Sequence, residues 1–498
     1  MKLNIFTDEI VDLKADAVLV FNEKGKVALR GWENEVNKLV DGKMAEVIES
    51  GEFASSQDDF LYFFTFSKIK NIERVGIVGY DLKGDTTLNP LRSAAAVAVK
   101  KMRDAGLKKI ALVVPNVRGH QMSESARAVV EGMLLGLYRF EKYLEKQSTK
   151  KLNEIVLVGS IKDKRTLEKA ILLGEMEAGG VLLARDVGNE PSNILTPDNF
   201  ADIAQKMMNK VKIGCKILDH NDLNKEGLGL LYGVGKGSEN KPRLVVMNYH
   251  VGKKYPTIGV VGKGITFDSG GTSLKESDET FFDMKRDMMG AGAVLGLMYV
   301  LGQIRPKINV VGVMPLAENM LSGNSFKPGD ILMSYSGKTV EIFDTDAEGR
   351  LILADAMSYV QENYRVEYLV DVATLTGAVM RTVGPSMIGL FGNDNRLLER
   401  VRKAGLVSGE EMFDFPIYEG YRARVKSHFA DLKNISFKGP AAITSAMFLE
   451  EFVEEGVKWA HLDIAAMGTQ NGEGTYKARG ATGVAVLTLI NLILGLGK

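Results

Sequence analysis

Three carboxylates, a glycine and an arginine fall within eight consecutive residues of this chain: Asp344, Asp346, Glu348, Gly349 and Arg350, in the string D-T-D-A-E-G-R-L at 344–351. Acids this close repel and raise one another's pKa unless a positive centre holds them ionised, and a divalent metal does that most effectively. Asp346 and Glu348, at i and i+2, point to one side of an extended backbone and so can reach one metal centre. Gly349 then lets the chain turn sharply. After it, 351–360 carries Ile352, Ala356, Tyr359 and Val360 at helical spacing with no Gly or Pro, which predicts a helix. Arg350 would sit at its N-terminus, where free N–H groups and the helix dipole favour an anion. Taken alone, D-x-E-G is more often a solvated acidic turn than a metal site.

The string resembles, at seven of its eight positions, the N-T-D-A-E-G-R-L signature of the leucyl aminopeptidase (cytosol aminopeptidase) family. The departure is Asp344, where the family carries Asn; it adds a negative charge beside the expected metal site. A second string, G-K-G-I-T-F-D-S-G-G-T-S-L-K at 262–275, is no nucleotide loop, because Phe267 stands where a dinucleotide loop needs its third glycine and no Gly-Lys-Ser/Thr follows at phosphate-loop spacing. It is similar to the family's V-G-K-G-I-T-F-D-S-G-G-x-x-x-K. Further matches are A-R-D-V-G-N-E-P-S-N-I-L-T-P at 184–197, D-M-K-R-D-M-M-G at 283–290, P-L-A-E-N-M at 315–320 and A-T-L-T-G-A at 373–378.

The resemblance implies a ligand set of Lys263, Asp268, Asp287, Asp346 and Glu348 around two divalent ions, Zn²⁺ and/or Mn²⁺, about 3.5–4 Å apart. Asp268 and Glu348 would bridge them. Lys275 would be catalytic, staying protonated to stabilise the oxyanion. Lys263 can ligate only as the neutral amine, so its pKa should be lowered by the metal's charge and by burial. No His or Glu is left as general base, and the family's solution is a bicarbonate held by Arg350. Met284 would floor the pocket for the first side chain, and Thr374, Leu375, Gly377 and Ala465 would bind substrate. The implied activity is release of apolar N-terminal residues such as leucine from peptides with a free N-terminus, by a cytoplasmic homohexamer. Relative to the family, one residue is inserted between Lys275 and Asp287. Asp283, sharing a helix face with Asp287 at i and i+4, therefore competes for the ligand role, unless the polar stretch 276–280 absorbs the insertion as a bulge.

These residues need a scaffold, and at 498 residues the chain exceeds one comfortable core, which predicts two domains. In 1–160, apolar runs at 17–21, 60–66, 75–80, 110–115 and 155–159 alternate with amphipathic stretches at 91–105 and 126–143, the pattern of a three-layer α/β domain. By resemblance this smaller domain is macro-like. A Lys/Glu-rich boundary at 140–153 leads to a linking helix over 161–185, and 186–498 would be the catalytic α/β domain with a mostly parallel central sheet. Its strands at 244–247, 258–261, 310–313 and 368–372 read as buried and parallel, and in such sheets ligand sites gather at the carboxyl ends. The segment 79–84 reads as a turn rather than a phosphate loop. His461, inside the apolar run 459–465, reads as a satisfied core histidine rather than a ligand.

Composition bounds the alternatives. The chain is 45% apolar and 25% charged, with 63 basic and 63 acidic residues, so no global field recruits nucleic acid or an anionic membrane. One cysteine, Cys215, excludes an intrachain disulfide and suits a reducing compartment. Asp8 and Glu9 near the start, with no apolar run, do not resemble a signal peptide. The uncharged stretch 481–497, interrupted by Thr488 and Asn491, reads as a buried helix rather than a membrane span. Five histidines are too scattered for a His-rich zinc site, so any metal must be held mainly by oxygen. A two-metal phosphoesterase would use a similar cage but favours more cations around the phosphate than Lys275 and Arg350. A structural or DNA-binding member of the fold would show eroded ligands or a basic stripe.

Overall fold

Of the apolar runs of the first third, four become parallel strands buried on both faces, while the one beginning at Phe60 becomes a partly exposed antiparallel strand. In the computed structural model, which describes residues 1–65, 71–82, 87–276, 281–472 and 474–497, the first unit comprises Met1–Ala178 with Gly472–Ala478. Its strands are β1 (Lys2–Phe6), β2 (Ala17–Glu23), β3 (Phe60–Phe64), β4 (Arg74–Tyr80), β5 (Lys109–Val113) and β6 (Glu154–Val158), ordered β1-β6-β5-β2-β4-β3. All pairings are parallel except β3 with β4. The period of two divides β2 between two cores. Ala17, Leu19 and Phe21 pack with residues of α3 (Asn89–Asp104) and α4 (Met122–Gly136), while Val18 and Val20 pack with Val36 and Met44 of α1 (Trp32–Lys38) and α2 (Lys43–Glu49). Residues 83–86, with part of the segment 79–84, and residues 277–280, with most of the expected bulge, lie outside the described residues. Helix α5 (Lys164–Asn189) begins in this unit and ends in the second.

The second unit comprises Gly179–Asn471 with Arg479–Lys498. After α6 (Pro197–Val211) come β7 (Gly214–Leu218), α7 (His220–Glu226), α8 (Gly229–Gly235), β8 (Arg243–Tyr249), β9 (Thr257–Gly262) and β10 (Gly264–Asp268). Then follow α9 (Met289–Ile304), β11 (Asn309–Asn319), β12 (Ile331–Met333), β13 (Thr339–Glu341), α10 (Gly349–Tyr364), β14 (Tyr368–Ala373), β15 (Ile388–Gly392), β16 (Met412–Asp414), β17 (Leu432–Lys433) and β18 (Lys458–Asp463). The large sheet runs β16-β15-β18-β14-β9-β11-β8-β7, with β10 added on β11. Its centre, β18-β14-β9-β11, is parallel. The strand expected as parallel at 244–247 is instead antiparallel to both neighbours, as β8. An uninterrupted apolar run reports burial of both faces, which β8 has, and carries no information about direction.

Helix α9 is buried along nearly its whole length. The 24 residues Phe281–Ile304 are long and apolar enough to cross a membrane by composition, but 83% of their most apolar 18-residue stretch is buried inside the protein, as the core helix of an α/β sheet must be. The uncharged tail forms a shorter helix, Val486–Leu496, also largely buried. Helix α10 starts two residues before the expected 351 and runs to Tyr364. Arg365 then closes it in a left-handed conformation (φ 48°), a common helix ending.

Candidate metal centre and active site

The carboxyl ends of β9, β10, β11 and β14 supply one wall of the site, and the acidic turn before α10 supplies the other. Lys263 joins β9 to β10, and its N–H bonds Val372 O of β14 at 3.0 Å. Asp268 ends β10. Beyond it the chain folds back through Gly270, where the left-handed φ of 86° and the closeness of the returning chain exclude a side chain: a Cβ there would lie 2.9 Å from Lys275 N. This hairpin brings Lys275 back beside Asp268. Thr345 locks the two walls: its hydroxyl donates to Gly270 O at 2.6 Å and accepts from Ser273 N–H at 2.8 Å. Asn319, ending β11, donates to Asp268 Oδ1 at 2.8 Å and to Thr345 O at 3.0 Å.

The acidic segment is not extended. Thr345 and Asp346 lie in a turn and Glu348 has helical φ and ψ (−78°, −36°) as the residue capping α10, so the two acids converge through the turn rather than through i, i+2 alternation. Gly349 has a different role from the one its sequence position suggested. It is the first residue of the helix, and a Cβ there would collide with Cε and Nζ of Lys263. Its hydrogen side chain makes the room through which Lys263 reaches the acids.

Asp268, Asp346 and Glu348 each offer a carboxylate oxygen, and the three lie within 4.8 Å of one another. Asp287 stands outside that triple and joins it through Lys263, whose Nζ lies 2.7 Å from Asp287 Oδ2 and 2.9 Å from Glu348 Oε1. The same ammonium donates to Thr374 O at 3.0 Å. Lys275 Nζ pairs with Asp268 Oδ2 at 2.9 Å and with Asp346. Asp283 points elsewhere, into an ion pair with Arg286. The two acids do not share a helix face: Phe281–Arg286 is a 3-10 turn, and Asp287 lies between it and α9. Met284 is half-buried in that turn.

Burial raises the carboxyl of Asp346 to about 7, with Asp268 and Glu348 adding repulsion. Burial and Asp268 likewise raise Glu348, and burial raises Asp287 with Glu348 and Asp268 adding to it. At Lys263, burial and the neighbouring carboxylates act in opposite directions. Burial pushes its ammonium down, but Asp287, Glu348 and Asp268 outweigh burial and hold it above the ordinary lysine value. Among protein groups alone Lys263 keeps its proton, so only the field of a cation can make it a neutral ligand. Lys275 is raised in the same way, burial opposing and Asp268, Glu348 and Asp346 prevailing.

The donor set fits hard or borderline divalent ions, which take carboxylate oxygens at close range. Glu348 Oε2 carries the test: it is buried with no hydrogen-bond partner among the described residues, and an orphaned carboxylate oxygen costs free energy that a cation would offset. Arg350, 6% exposed, donates from Nη1 to Asn434 O at 2.8 Å, while its Nε has no partner among the described residues. Burial lowers its pKa to about 10 against the opposing pull of Glu348 and Asp344.

The loop after β14 is tied down by a residue whose role the sequence motifs do not mark. Asp463, ending β18, accepts from the N–H groups of Leu375 and Ala465 at 3.1 Å each and from the Thr376 hydroxyl at 2.8 Å. The Leu375 N–H is thereby used internally, while Gly377 is exposed as the first residue of Gly377–Val383. Thr374 donates its hydroxyl to Asp287 Oδ1 at 2.7 Å, which makes it an orienting group for that acid. His461 is satisfied in the core: its Nδ1 lies 2.6 Å from Asp371, which also accepts from Trp459 Nε1 at 2.8 Å. A signal for Asp463 exists in β18, where Trp459, His461 and Asp463 alternate onto one face and place a carboxylate at the strand's carboxyl end.

A largely parallel α/β sheet with a carboxylate cluster, two of its three acids buried, between its strand ends and the facing turn defines a metal-binding α/β enzyme. The cytosol aminopeptidase family's catalytic-domain model matches residues 182–490, and its N-terminal-domain model matches 17–147. The chain is 36% identical over its full length to the full length of a probable cytosol aminopeptidase of Alkaliphilus oremlandii, and 36% identical over 99% of itself to 98% of one from Aquifex aeolicus. Among solved structures, it is similar to the bottromycin maturation enzyme BotP in complex with Mn (TM-score 0.86, 34% identity, covering 97% of this chain and 100% of that one). It is also similar to a point mutant of tomato leucine aminopeptidase (TM-score 0.88, 29% identity, 99% and 96% covered). The chain belongs to the cytosol (leucyl) aminopeptidase family. It is a metal-dependent aminopeptidase, a hydrolase of the metallo-exopeptidase kind.

The geometry makes one ligand assignment directly testable. Asp287→Ala should reduce tightly bound metal in the purified protein, and Asp283→Ala should leave it unchanged, because Asp287 faces Lys263 and Glu348 whereas Asp283 is turned to Arg286. Elemental analysis showing the reverse pattern would move the role to Asp283.

Proposed function

We propose that Lys263, Asp268, Asp287, Asp346 and Glu348 hold two divalent ions, Zn²⁺ and/or Mn²⁺, and that the chain uses them to release apolar N-terminal residues such as leucine from peptides. The observation that carries this is the convergence of Asp268, Asp346 and Glu348 within 4.8 Å, with the Lys275 ammonium set against two of them. Bound there, the ions would anchor the free α-amine, polarise the first carbonyl and lower the pKa of a water to the neutral range. Lys275, kept protonated by its carboxylate neighbours, donates to the oxygen on which negative charge develops. Arg350 offers its Nε, at the N-terminus of α10, to an anion such as bicarbonate that would take up the proton of the attacking water. Thr374 keeps Asp287 aligned, and Asp463 holds the loop carrying Leu375 and Gly377, with Ala465, around the bound peptide. Met284 supplies apolar surface for the first side chain.

Asp344, where the family has Asn, accepts the Asp346 N–H at 2.9 Å through Oδ1. An asparagine oxygen can make that bond too, so the turn survives the exchange and the change is one of charge. We place the working form as a cytoplasmic homohexamer by kinship with the family; light scattering that reads a monomer at micromolar concentration would overturn the assembly. The reaction itself is tested by a panel of amino-acid amides and phosphoesters with and without Mn²⁺. Mn²⁺-dependent cleavage of leucine amide ahead of charged residues is expected, and cleavage of phosphoesters alone would overturn the reading.

A further inference from the structure

We propose that Asn434 is a positioning residue for the metal-binding acids, a role that rests on the two-metal reading above. Asn434 follows β17, which pairs in parallel with β13 in the register Val340 to Leu432 and Glu341 to Lys433. Its own N–H continues that ladder to Glu341 O at 3.1 Å. The register delivers a fully buried side-chain amide (0% exposed) against the acidic turn, from a segment 90 residues beyond Asp344 in the chain.

One amide plane then holds both ends of the turn. Oδ1 accepts the Phe343 N–H at 2.9 Å, and Nδ2 donates to Asp344 O at 2.6 Å and, more loosely, to Ala347 O at 3.4 Å. The backbone carbonyl of the same residue accepts Arg350 Nη1 at 2.8 Å. Asp346 and Glu348 are thus carried on a turn whose backbone is fastened by Asn434, and Arg350 is fastened by it as well. Packing cannot do this for Asp346, whose side chain is 35% exposed. Its direction is set by the backbone that carries it and by Lys275.

The pattern demands a donor and an acceptor on one short, rigid group. A carboxylate in place of the amide keeps the acceptor for Phe343 N–H but sets an oxygen against two carbonyls. An aliphatic side chain leaves backbone groups buried without partners. Two variants separate positioning from folding: Asn434→Asp, which keeps volume and the acceptor, and Asn434→Leu, which removes all the side-chain bonds.

Calorimetric titration of the metal-stripped proteins with Mn²⁺ reads the geometry of the acids without relying on turnover. For variants that retain wild-type far-UV spectra and cooperative melting, the dissociation constant of the weaker Mn²⁺ site should rise by about 10–100-fold, the scale on which partners of metal ligands act. At saturating Mn²⁺, kcat on leucine amide should fall by about tenfold or more with KM changed by less than about threefold, since the substrate's own contacts are untouched. Folded variants with wild-type Mn²⁺ affinity would overturn the proposal. So would failure of both variants to fold, which would assign Asn434 to stability instead. If the wild type binds Mn²⁺ but cleaves no amide, the aminopeptidase reading fails while the titration still decides the role of Asn434.

Discussion

Glu348→Gln should lower kcat on leucine amide by at least about 10³-fold, roughly 4 kcal/mol of transition-state stabilisation. Glu348 is 1% exposed, with Oε1 at 2.9 Å from the Lys263 ammonium and Oε2 without a partner among the described residues. Glutamine keeps the shape and removes the charge. Its NH₂ must then face either the Lys263 nitrogen or the place of the orphaned oxygen, and in both positions a donor replaces an acceptor beside positive charge. Because Glu348 belongs to the converging triple and also touches Lys263, the substitution disturbs both flanks of the site at once. Kinetics at saturating Mn²⁺, paired with elemental analysis, check this. A variant holding two ions and more than a tenth of wild-type kcat would show that Glu348 is not an essential ligand.

Lys275→Ala is expected to separate chemistry from metal binding. On the role proposed for Lys275, removing the donor to the developing oxyanion should lower kcat by about 10²-fold or more, roughly 2.7 kcal/mol. The metals should stay, and bind as well as before or better. Lys275 pairs with Asp268 and Asp346, so its loss leaves two carboxylates with one less positive neighbour and a stronger attraction for divalent ions. The decisive comparison is metal affinity beside kcat: loss of bound metal together with activity would make Lys275 a structural cation of the cluster. The proton on Lys275 is not the source of an acidic limb in the pH profile, because its pKa is held upward and falling pH only keeps it charged.

Several sequence expectations differ from the fold, each for a local reason. The run at 244–247 is buried as expected but antiparallel, since apolarity does not encode direction. Gly349 is legible as special, but its reason is the neighbouring Lys263 side chain, which lies in a different element. Asp283 and Asp287 have the spacing of one helix face, yet the helix begins only at Met289, and the 3-10 turn before it sends Asp283 to Arg286. Around Lys263, three carboxylates outweigh burial when protein groups act alone, a count that spacing along the chain does not supply.

The sequence by itself determined the residue types of the site and their local strings, the α/β alternation of both units, and the kinship to the cytosol aminopeptidases. Those are properties of short stretches, where periodicity, turn residues and motif spacing report directly on backbone conformation. Only the tertiary structure decided which groups meet. Lys263, Asp287 and Glu348 come from separate elements brought together by the order β14-β9-β11 and by the turn into α10. Asn319, Asn434 and Asp463 matter through hydrogen bonds across that sheet or to that turn. Such bonds have no period, and a buried asparagine or aspartate in a sequence looks the same whether it fastens a metal-binding turn or fills a loop. The partner is chosen by strand order and register, and these are set by the packing of the whole unit.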